Sequence, residues 1–414
     1  MDFEQSVKYL LSLGHETLTI KLGLRNTELL LASLDNPQRA FLSVQIAGTN
    51  GKGSTAAMLD SICRAAGIKT GLYTSPHMVS ITERIRVSGI EITPEDFAAC
   101  ATVVRNVSEQ LLRSKQIEAL PTFFEQLTAI ALLAFRNARI ELAILETGLG
   151  GRLDSTTAAN ARIVAITSIA FDHEEYLGHT IESIAAEKAA IIRPGVQAVI
   201  ARQSESSALD VLLKHCEQTG VTPILATDSQ SNDVVIGLPG RHQINNAAVA
   251  IALAELLRAQ GFAISRSAII AGLKNAKHAG RLELVPHKPP FLLDGAHNPA
   301  GAQSLRDYLD EFAPRPLTLV FGAMRDKQLE QMGEILFPVA DPLVLTTIDN
   351  PRSATLETLQ TIAARFAPGK TLTSNSSAEA LRIALANTSP EGLVCIAGSL
   401  YLIGEIRPLI LGLS

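Results

Sequence analysis

The sequence predicts an α/β protein built on a mainly parallel sheet, and three observations carry that prediction. Short apolar runs alternate with helix-period segments, a Gly-rich loop separates one such run from a helix, and a second strand-turn-helix series starts near residue 280. The runs "FLSVQIA" (41–47), "ELAILET" (141–147), "RIVAITS" (162–168) and "VQAVIAR" (196–202) are mainly apolar, as buried parallel strands are. Each leads through a turn into helical sequence, the signature of a doubly wound sheet. "ERIRVSGIEITPEDF" differs: its alternation around Ser88 and Gly89 predicts a hairpin, inserted on the sheet, leading into a helix whose first turn holds Pro94, Glu95 and Asp96. "RHQINNAAVAIALAELLRAQG" predicts a long helix ending at Gly261, and "AISRSAIIAGLKNAKHAG" one that stops before Gly280. Beyond it, "FLLDGAHNPAGAQSL", "LTLVFGAMRDKQLEQM", "PLVLTTIDNPRSATLETL" and "LVCIAGSLYLIGEI" each read strand, turn, helix, so four units make a smaller α/β domain. The expected division is 1–280 and 281–414, where "KHAG" and "PHKPP" break the periodicity.

Composition narrows the partners. At 414 residues, two domains are expected. A net charge of −5 without a cluster of Lys and Arg argues against a nucleic-acid or anionic-membrane surface and points to small ligands. No apolar run reaches the roughly 18 residues that span a bilayer, and the acidic, amphipathic start is unlike a signal peptide, so a cytoplasmic protein is expected. Cys63, Cys100, Cys216 and Cys395 lack paired spacing and read as buried thiols.

Chemistry concentrates at the expected strand ends. In "SVQIAGTNGKGSTAAML" (43–59), Gly48, Gly51 and Gly53 let backbone N–H groups converge on phosphate oxygens at a helix N-terminus. Lys52 would reach the terminal phosphates, Ser54 a Mg²⁺ ion, and Thr49 and Asn50 would line the loop. The spelling is unusual, because Gly53 stands where Ser or Thr ordinarily follows the Lys. Glu146 ends a strand in "LAILETGLGGRLD", and "ITSIAFDHEEYLG" offers His173 between Asp172 and Glu174 at a similar edge, so Glu146 and His173 are candidate Mg²⁺ ligands. Lys188 lies on the apolar face of "SIAAEKAAIIRPG", where an ammonium is costly unless paired or neutralised; Glu187 cannot share its face. It either reaches the nucleotide, extends to water or has a more specialised role. Asp294, His297 and Asn298 follow a strand of the second domain.

Taken together, these motifs resemble the folylpolyglutamate synthase and dihydrofolate synthase family, relatives of the Mur ligases. "GTNGKGS" is that family's phosphate loop, and "YTSPHMVSITERIRVSG", "LETGLGGRLD", "DHEEYLG", "EKAAIIRPG", "AGRLELV", "DGAHNPAG" and "GSLYLIGE" follow its order and spacing along nearly the whole chain. The resemblance implies a Mur-ligase-like central P-loop ATPase domain with a mainly parallel sheet, plus a smaller Rossmann-like C-terminal α/β domain carrying glutamate ligation. It implies ATP contacts from Thr49, Asn50, Gly51, Lys52, Gly53, Ser54, Ser75, Asn246, Arg281 and Asp294, Mg²⁺ ligation by Ser54, Glu146 and His173, and a second Mg²⁺ site that a modified Lys188 helps to hold. Lys188 matches a lysine the family converts to N6-carboxylysine. Thr122, Phe123, Phe124 and Glu125 of "LPTFFEQLTA", with Leu153, Asp154 and Ser155, match pterin-binding segments, although core packing alone would also account for the two Phe. His297 and Ser399 fall in motifs lining the glutamate side, with His297 assigned a catalytic role beside Lys52 and Lys188. The implied partners of a monomeric ligase are ATP, L-glutamate, 7,8-dihydropteroate and reduced folates, with a monovalent cation as a further cofactor. Three readings remain beside the bifunctional one: an enzyme that only extends the glutamate tail, a nucleotide-hydrolysing switch acting on a protein partner, and a Mur-type ligase acting on a nucleotide-linked peptide, which the loop spelling argues against.

Overall fold

A computed structural model describes residues 1–14, 23–227 and 234–413. They form two compact units, Met1–Gly237 with Asn245–Ala276, and Leu238–Ile244 with Lys277–Ser414. The second unit therefore takes Lys277–Gly280 and the short Leu238–Ile244 segment, which a division after Gly280 gives to the first. The pattern break near 280 marks the chain's passage from one unit to the other. The return segment carries no periodicity of its own, and it is held by tertiary contact: a side chain on Gly240 would meet Leu282 and His242 within 2.7 Å.

In the first unit, β1 (Leu42–Ala47), β2 (Thr70–Tyr73), β3 (Ile85–Val87), β4 (Ile90–Glu91), β5 (Leu142–Glu146), β6 (Ile163–Ile166), β7 (Gln197–Ile200) and β8 (Ile224–Leu225) form one sheet. Their order is β4-β3-β2-β5-β1-β6-β7-β8. Every pairing from β2 to β8 is parallel, while β3 and β4 add antiparallel at one edge. The hairpin turns through Ser88 and Gly89, both at positive φ (49° and 83°), which matches the right-handed twist of its strands. The apolar runs became β1, β5, β6 and β7. β2, only "TGLY", is too short and Gly-interrupted to stand out in sequence. Helices cover both faces: Pro94–Arg113 and Phe123–Ala138 pack over one core, Ile181–Ala189 and Ser206–Thr219 over another. β1 lies between β5 and β6, where the chain changes the direction in which it adds strands, so the loop after β1 opens at the place where such sheets bind ligands.

The second unit has β9 (Glu283–Val285), β10 (Phe291–Asp294), β11 (Leu317–Phe321), β12 (Leu343–Thr346), β13 (Thr371–Ser374) and β14 (Leu393–Ala397) in the order β13-β12-β11-β14-β10-β9. Only β9 is antiparallel among these pairings. β13 and its helix Ser377–Asn387 make a fifth unit where four were expected, because an edge strand half open to water needs no apolar run. Among the described residues, no helix is long and apolar enough to cross a membrane.

The helix after the loop, Lys52–Ala65, is held by close packing. Helix Arg266–Asn275 lies against it, and a Cβ on Gly272 would stand 2.3 Å from Cα of Ile62. Backbone cannot yield as a flexible side chain can. Gly272→Ala is therefore expected to destabilise the protein by about 1–3 kcal/mol, read as a lower urea midpoint; an unchanged midpoint would show that the two helices separate freely.

Candidate active site

The loop after β1 is built on two close approaches. Gly48 (φ 149°) passes the end of β6 so tightly that a Cβ would lie 1.9 Å from Thr167 Oγ1, and Gly51 (φ 88°) would carry its Cβ 2.2 Å from Asn246 Oδ1. Only glycine fits either position. The loop is tied down between them: the N–H groups of Thr49 and Asn50 donate to the Ser168 carbonyl (2.8 and 3.1 Å), and Thr49 Oγ1 bonds both the carbonyl and the N–H of Ala170. Gly51 immediately precedes the helix, so Lys52, Gly53 and Ser54 occupy its first turn, with its positive dipole end.

Two lysines converge on this loop. Lys52 Nζ donates to the carbonyls of Gly48 and Thr49, both at 3.0 Å, and Lys188 Nζ donates to the same Gly48 carbonyl at 2.9 Å. Lys188 is 4% exposed. Burial first, and the Lys52 ammonium second, push its pKa down to about 7, against the pull of Asp172, Asp154 and Glu187. Glu187, next in sequence, instead pairs with Arg152 (3.0 Å).

Glu146, at the end of β5, is buried and accepts the Ser75 N–H at 3.1 Å, which brings two of the expected residues together. His173 adopts left-handed backbone (φ 53°), and its ring lies 3.8 Å from the Asp172 carboxylate. Among the described residues, no three His, Cys, Asp or Glu side chains cluster closely enough to hold a metal ion by themselves. Ser54, Glu146 and His173 supply only two side chains of those types.

The residues expected on the pterin side divide by their contacts. Thr122 and Glu125 form a reciprocal cap at the start of helix Phe123–Ala138: Glu125 N–H donates to Thr122 Oγ1, and Glu125 Oε2 accepts the Thr122 N–H at 2.7 Å. Phe123 is buried in the core, with the Arg84 guanidinium 5.6 Å above its ring. Phe124 is only partly buried and lies across Gly148, where a Cβ would stand 2.5 Å from the ring; Tyr73 is tilted beside it, centroids 5.9 Å apart. Asp154 folds its own loop, its carboxylate accepting the N–H groups of Gly148, Leu149 and Thr156, each at 2.9 Å, and the Thr156 hydroxyl at 2.5 Å. Burial raises its pKa against these donors. Leu153 is half-buried beside it, and Ser155 shares a 2.6 Å hydrogen bond with Thr128.

In the second unit, Asp294 ends β10 with its two oxygens accepting the N–H groups of Leu282 (2.9 Å) and Ala296 (3.0 Å). Burial raises its pKa, opposed first by Arg281. Arg281 Nη1 reaches the Gly295 carbonyl at 3.4 Å, and the His297 ring bonds that carbonyl at 2.7 Å. Ser399 caps helix Leu400–Leu411 by accepting the Tyr401 N–H at 3.1 Å. Sequence reasoning missed Gln45, a buried amide inside β1, and His242, whose pKa burial lowers beside Asp294. The signal for Gln45 was a long polar side chain within a mainly apolar strand.

Comparison with known proteins places this geometry. Residues 46–221 match the Mur ligase middle domain, and residues 280–400 match the Mur ligase, glutamate ligase domain. Fold and matches together define a Mur-type ligase. The Bacillus subtilis dihydrofolate synthase/folylpolyglutamate synthase is 34% identical over 95% of this chain and 96% of its own. A probable bifunctional folylpolyglutamate synthase/dihydropteroate synthase of Haloferax volcanii is 35% identical over 98% of this chain but 50% of its own, so the chain spans about half of that relative. Among solved structures, Mycobacterium tuberculosis folylpolyglutamate synthase complexed with ADP and AMPPCP superposes with a TM-score of 0.88 at 32% identity, covering 99% of each chain. E. coli FolC in complex with DHPP and ADP gives 0.87 at 30%, covering 100% of this chain and 98% of the other. A bifunctional folylpolyglutamate synthase/dihydrofolate synthase with Mn, AMPPNP and L-glutamate bound gives 0.84 at 27%, covering 99% and 98%. The chain belongs to the dihydrofolate synthase/folylpolyglutamate synthase family.

The depressed Lys188 value has a stability consequence of definite sign. Its folded pKa lies below the ordinary 10.5, so the native state disfavours the proton; the penalty is complete below about pH 7 and vanishes above about 10.5. Lys188→Met should therefore gain stability over the wild type at acidic pH, by on the order of a few kcal/mol, with the gain shrinking across that window. Urea unfolding in CO₂-free buffer at several pH values reads this; a pH-independent difference would mean Lys188 is not held neutral.

Proposed function

We propose that the chain is an ATP-dependent ligase that joins L-glutamate to dihydropteroate, giving dihydrofolate, and to the glutamate tail of reduced folates. The observation that carries the reading is the strapped Gly48–Ser54 loop at the end of β1, with Lys52 and Lys188 converging on one carbonyl, in a chain whose later part matches a glutamate ligase domain. A carboxylate is a poor electrophile, so the acceptor carboxylate first attacks the γ-phosphate of ATP and ADP leaves. The α-amino group of glutamate then displaces phosphate from the acyl phosphate and loses its proton, forming the amide. The backbone N–H groups of the loop, with Lys52, offset the charge on the transferring oxygens. Thr49, Asn50, Gly51, Gly53, Ser54, Ser75, Asn246, Arg281 and Asp294 are assigned to the nucleotide, and His297 and Ser399 to the glutamate side.

The donor set suits Mg²⁺, which takes oxygen ligands and keeps several waters: the Ser54 hydroxyl and the Glu146 carboxylate, fixed by the Ser75 N–H, would hold it with His173. When bound, it neutralises phosphate charge. A second divalent site is assigned to Lys188 as N6-carboxylysine. Its neutral amine adds to CO₂, forming a C–N bond and releasing a proton, and the group becomes anionic. A monovalent cation completes the cofactors of this reading. Phe124, with Thr122, Phe123, Glu125, Leu153, Asp154 and Ser155 around it, forms the pterin side, and a partly open ring suits a flat heterocycle.

ADP release in the presence of ATP, Mg²⁺ and L-glutamate should depend on an acceptor and proceed with both 7,8-dihydropteroate and a reduced monoglutamyl folate. Turnover with the folate alone would restrict the enzyme to tail extension, and release indifferent to acceptor and glutamate would revive the nucleotide switch. Lys52→Ala should lower ligation at least about 100-fold with an unchanged circular dichroism spectrum; normal turnover would refute the role of the loop.

A further inference from the structure

We propose that Gln45 is a positioning residue for the acceptor side of the reaction, setting the rotors of two threonine hydroxyls that hold the loop after β5 in shape. The inference rests on the reading of that loop as the acceptor-binding segment. Gln45 is fully buried in β1, where an amide without hydrogen bonds would be strongly destabilising. Its Nε2 meets three hydroxyls, those of Thr157 (2.8 Å), Thr156 (3.0 Å) and Thr147 (3.3 Å), from residues more than 100 positions away.

The direction of each bond follows from proton counting. The Thr156 hydroxyl proton is committed to Asp154 Oδ1 at 2.5 Å, and the Thr157 proton to the Gly151 carbonyl at 2.8 Å. Both oxygens can then only accept, and the two protons of the Gln45 NH₂ match these two acceptors. The amide carbonyl has no partner among the described residues, so all of the bonding of this side chain runs through its donors.

Each hydroxyl passes the constraint on. Through Thr156, Gln45 orients the carboxylate whose other oxygen gathers the N–H groups of Gly148 and Leu149, and Gly148 is the residue on which the Phe124 ring rests. Through Thr157 it fixes Gly151, whose missing side chain lets the loop approach the helix of Lys188; a Cβ there would stand 2.9 Å from the Glu187 carbonyl. The strand that ends in the phosphate loop thereby sets the floor under the acceptor. A residue of this kind tunes acceptor affinity while leaving the nucleotide contacts in place.

The test uses the full chain with saturating L-glutamate, varying acceptor and ATP separately. Gln45→Met keeps the volume and removes both donors. It is expected to raise the acceptor KM about tenfold while the ATP KM stays within about twofold and kcat at saturating acceptor within about threefold. Combined with Thr156→Val, it should add little to Thr156→Val alone, because both break one relay. Thr156→Ser, which keeps the hydroxyl, should restore an acceptor KM near that of the wild type, and this comparison stands if Gln45→Met fails to fold. An unchanged acceptor KM, a parallel rise for ATP, additive single effects, or Ser and Val behaving alike at 156 would each overturn the proposal. Any of these with active wild-type enzyme leaves the ligase reading intact, whereas a wild type inactive on both acceptors overturns that reading and this one together.

Discussion

The first unit is organised around one carbonyl. Gly48 passes too close to Thr167 for any side chain, and its carbonyl receives the Nζ atoms of both Lys52 and Lys188. Two ammonium groups sharing one neutral acceptor repel each other, and burial, the larger cause, falls on Lys188. Lys188 accordingly loses its proton near neutral pH, while Lys52 stays on the loop as the charge that phosphate oxygens would meet. The absence of a Cβ at 48 thus sets the shape of the loop, while burial and the neighbouring Lys52 set the chemical character of a lysine 140 residues away that bonds the same carbonyl.

The neighbouring loop obeys a different rule. The phosphate loop is positioned by backbone and glycine contacts, whereas Gly148–Thr157 is positioned by side-chain hydrogen bonds into its own backbone. Asp154 serves three N–H groups and a hydroxyl, Thr157 serves Gly151, and Gln45 serves both threonines. Loops carry unpaired backbone groups that burial penalises, and a carboxylate inside the turn satisfies several at once. The raised pKa of Asp154 reflects the remaining imbalance, burial outweighing its donors.

How much of this was legible in sequence depends on the range of the interaction. β1, β5, β6 and β7 stood out because strands buried on both faces are mainly apolar, and Lys188 stood out because a charge interrupts the apolar face of its helix. β2 and β13 did not, one being four residues with a glycine and the other an edge strand facing water. The Gly-rich loop was legible as a turn between a strand and a helix, but not the reason for its glycines, since Thr167 and Asn246 are distant in the chain. Gln45 bonds residues more than 100 positions on, beyond any local pattern. Thr122 and Glu125 show the converse: Thr-x-x-Glu before an apolar run is a capping signal in its own right, and the structure uses both residues in that way.

The capping roles bear on what recognises a ligand here. Thr122, Glu125, Asp154 and Ser399 all spend side-chain oxygens on backbone N–H groups of their own elements, and Ser155 spends its hydroxyl on Thr128. Glu125 uses its second oxygen as well, accepting the Thr27 hydroxyl at 3.1 Å. The carboxylates of Glu125 and Asp154 cannot turn to a ligand without abandoning a buried partner, which is unfavourable by about 1–3 kcal/mol for each group left unsatisfied. Their contribution is to hold the first turn of helix Phe123–Ala138 and the Gly148–Thr157 loop in a single arrangement. What they leave open is the Phe124 ring, braced from beneath by Gly148 and from the side by Tyr73. A rigid aromatic face loses little entropy on binding, so on the proposed reading the polar residues of this segment would act on an acceptor chiefly by fixing the surface against which it stacks.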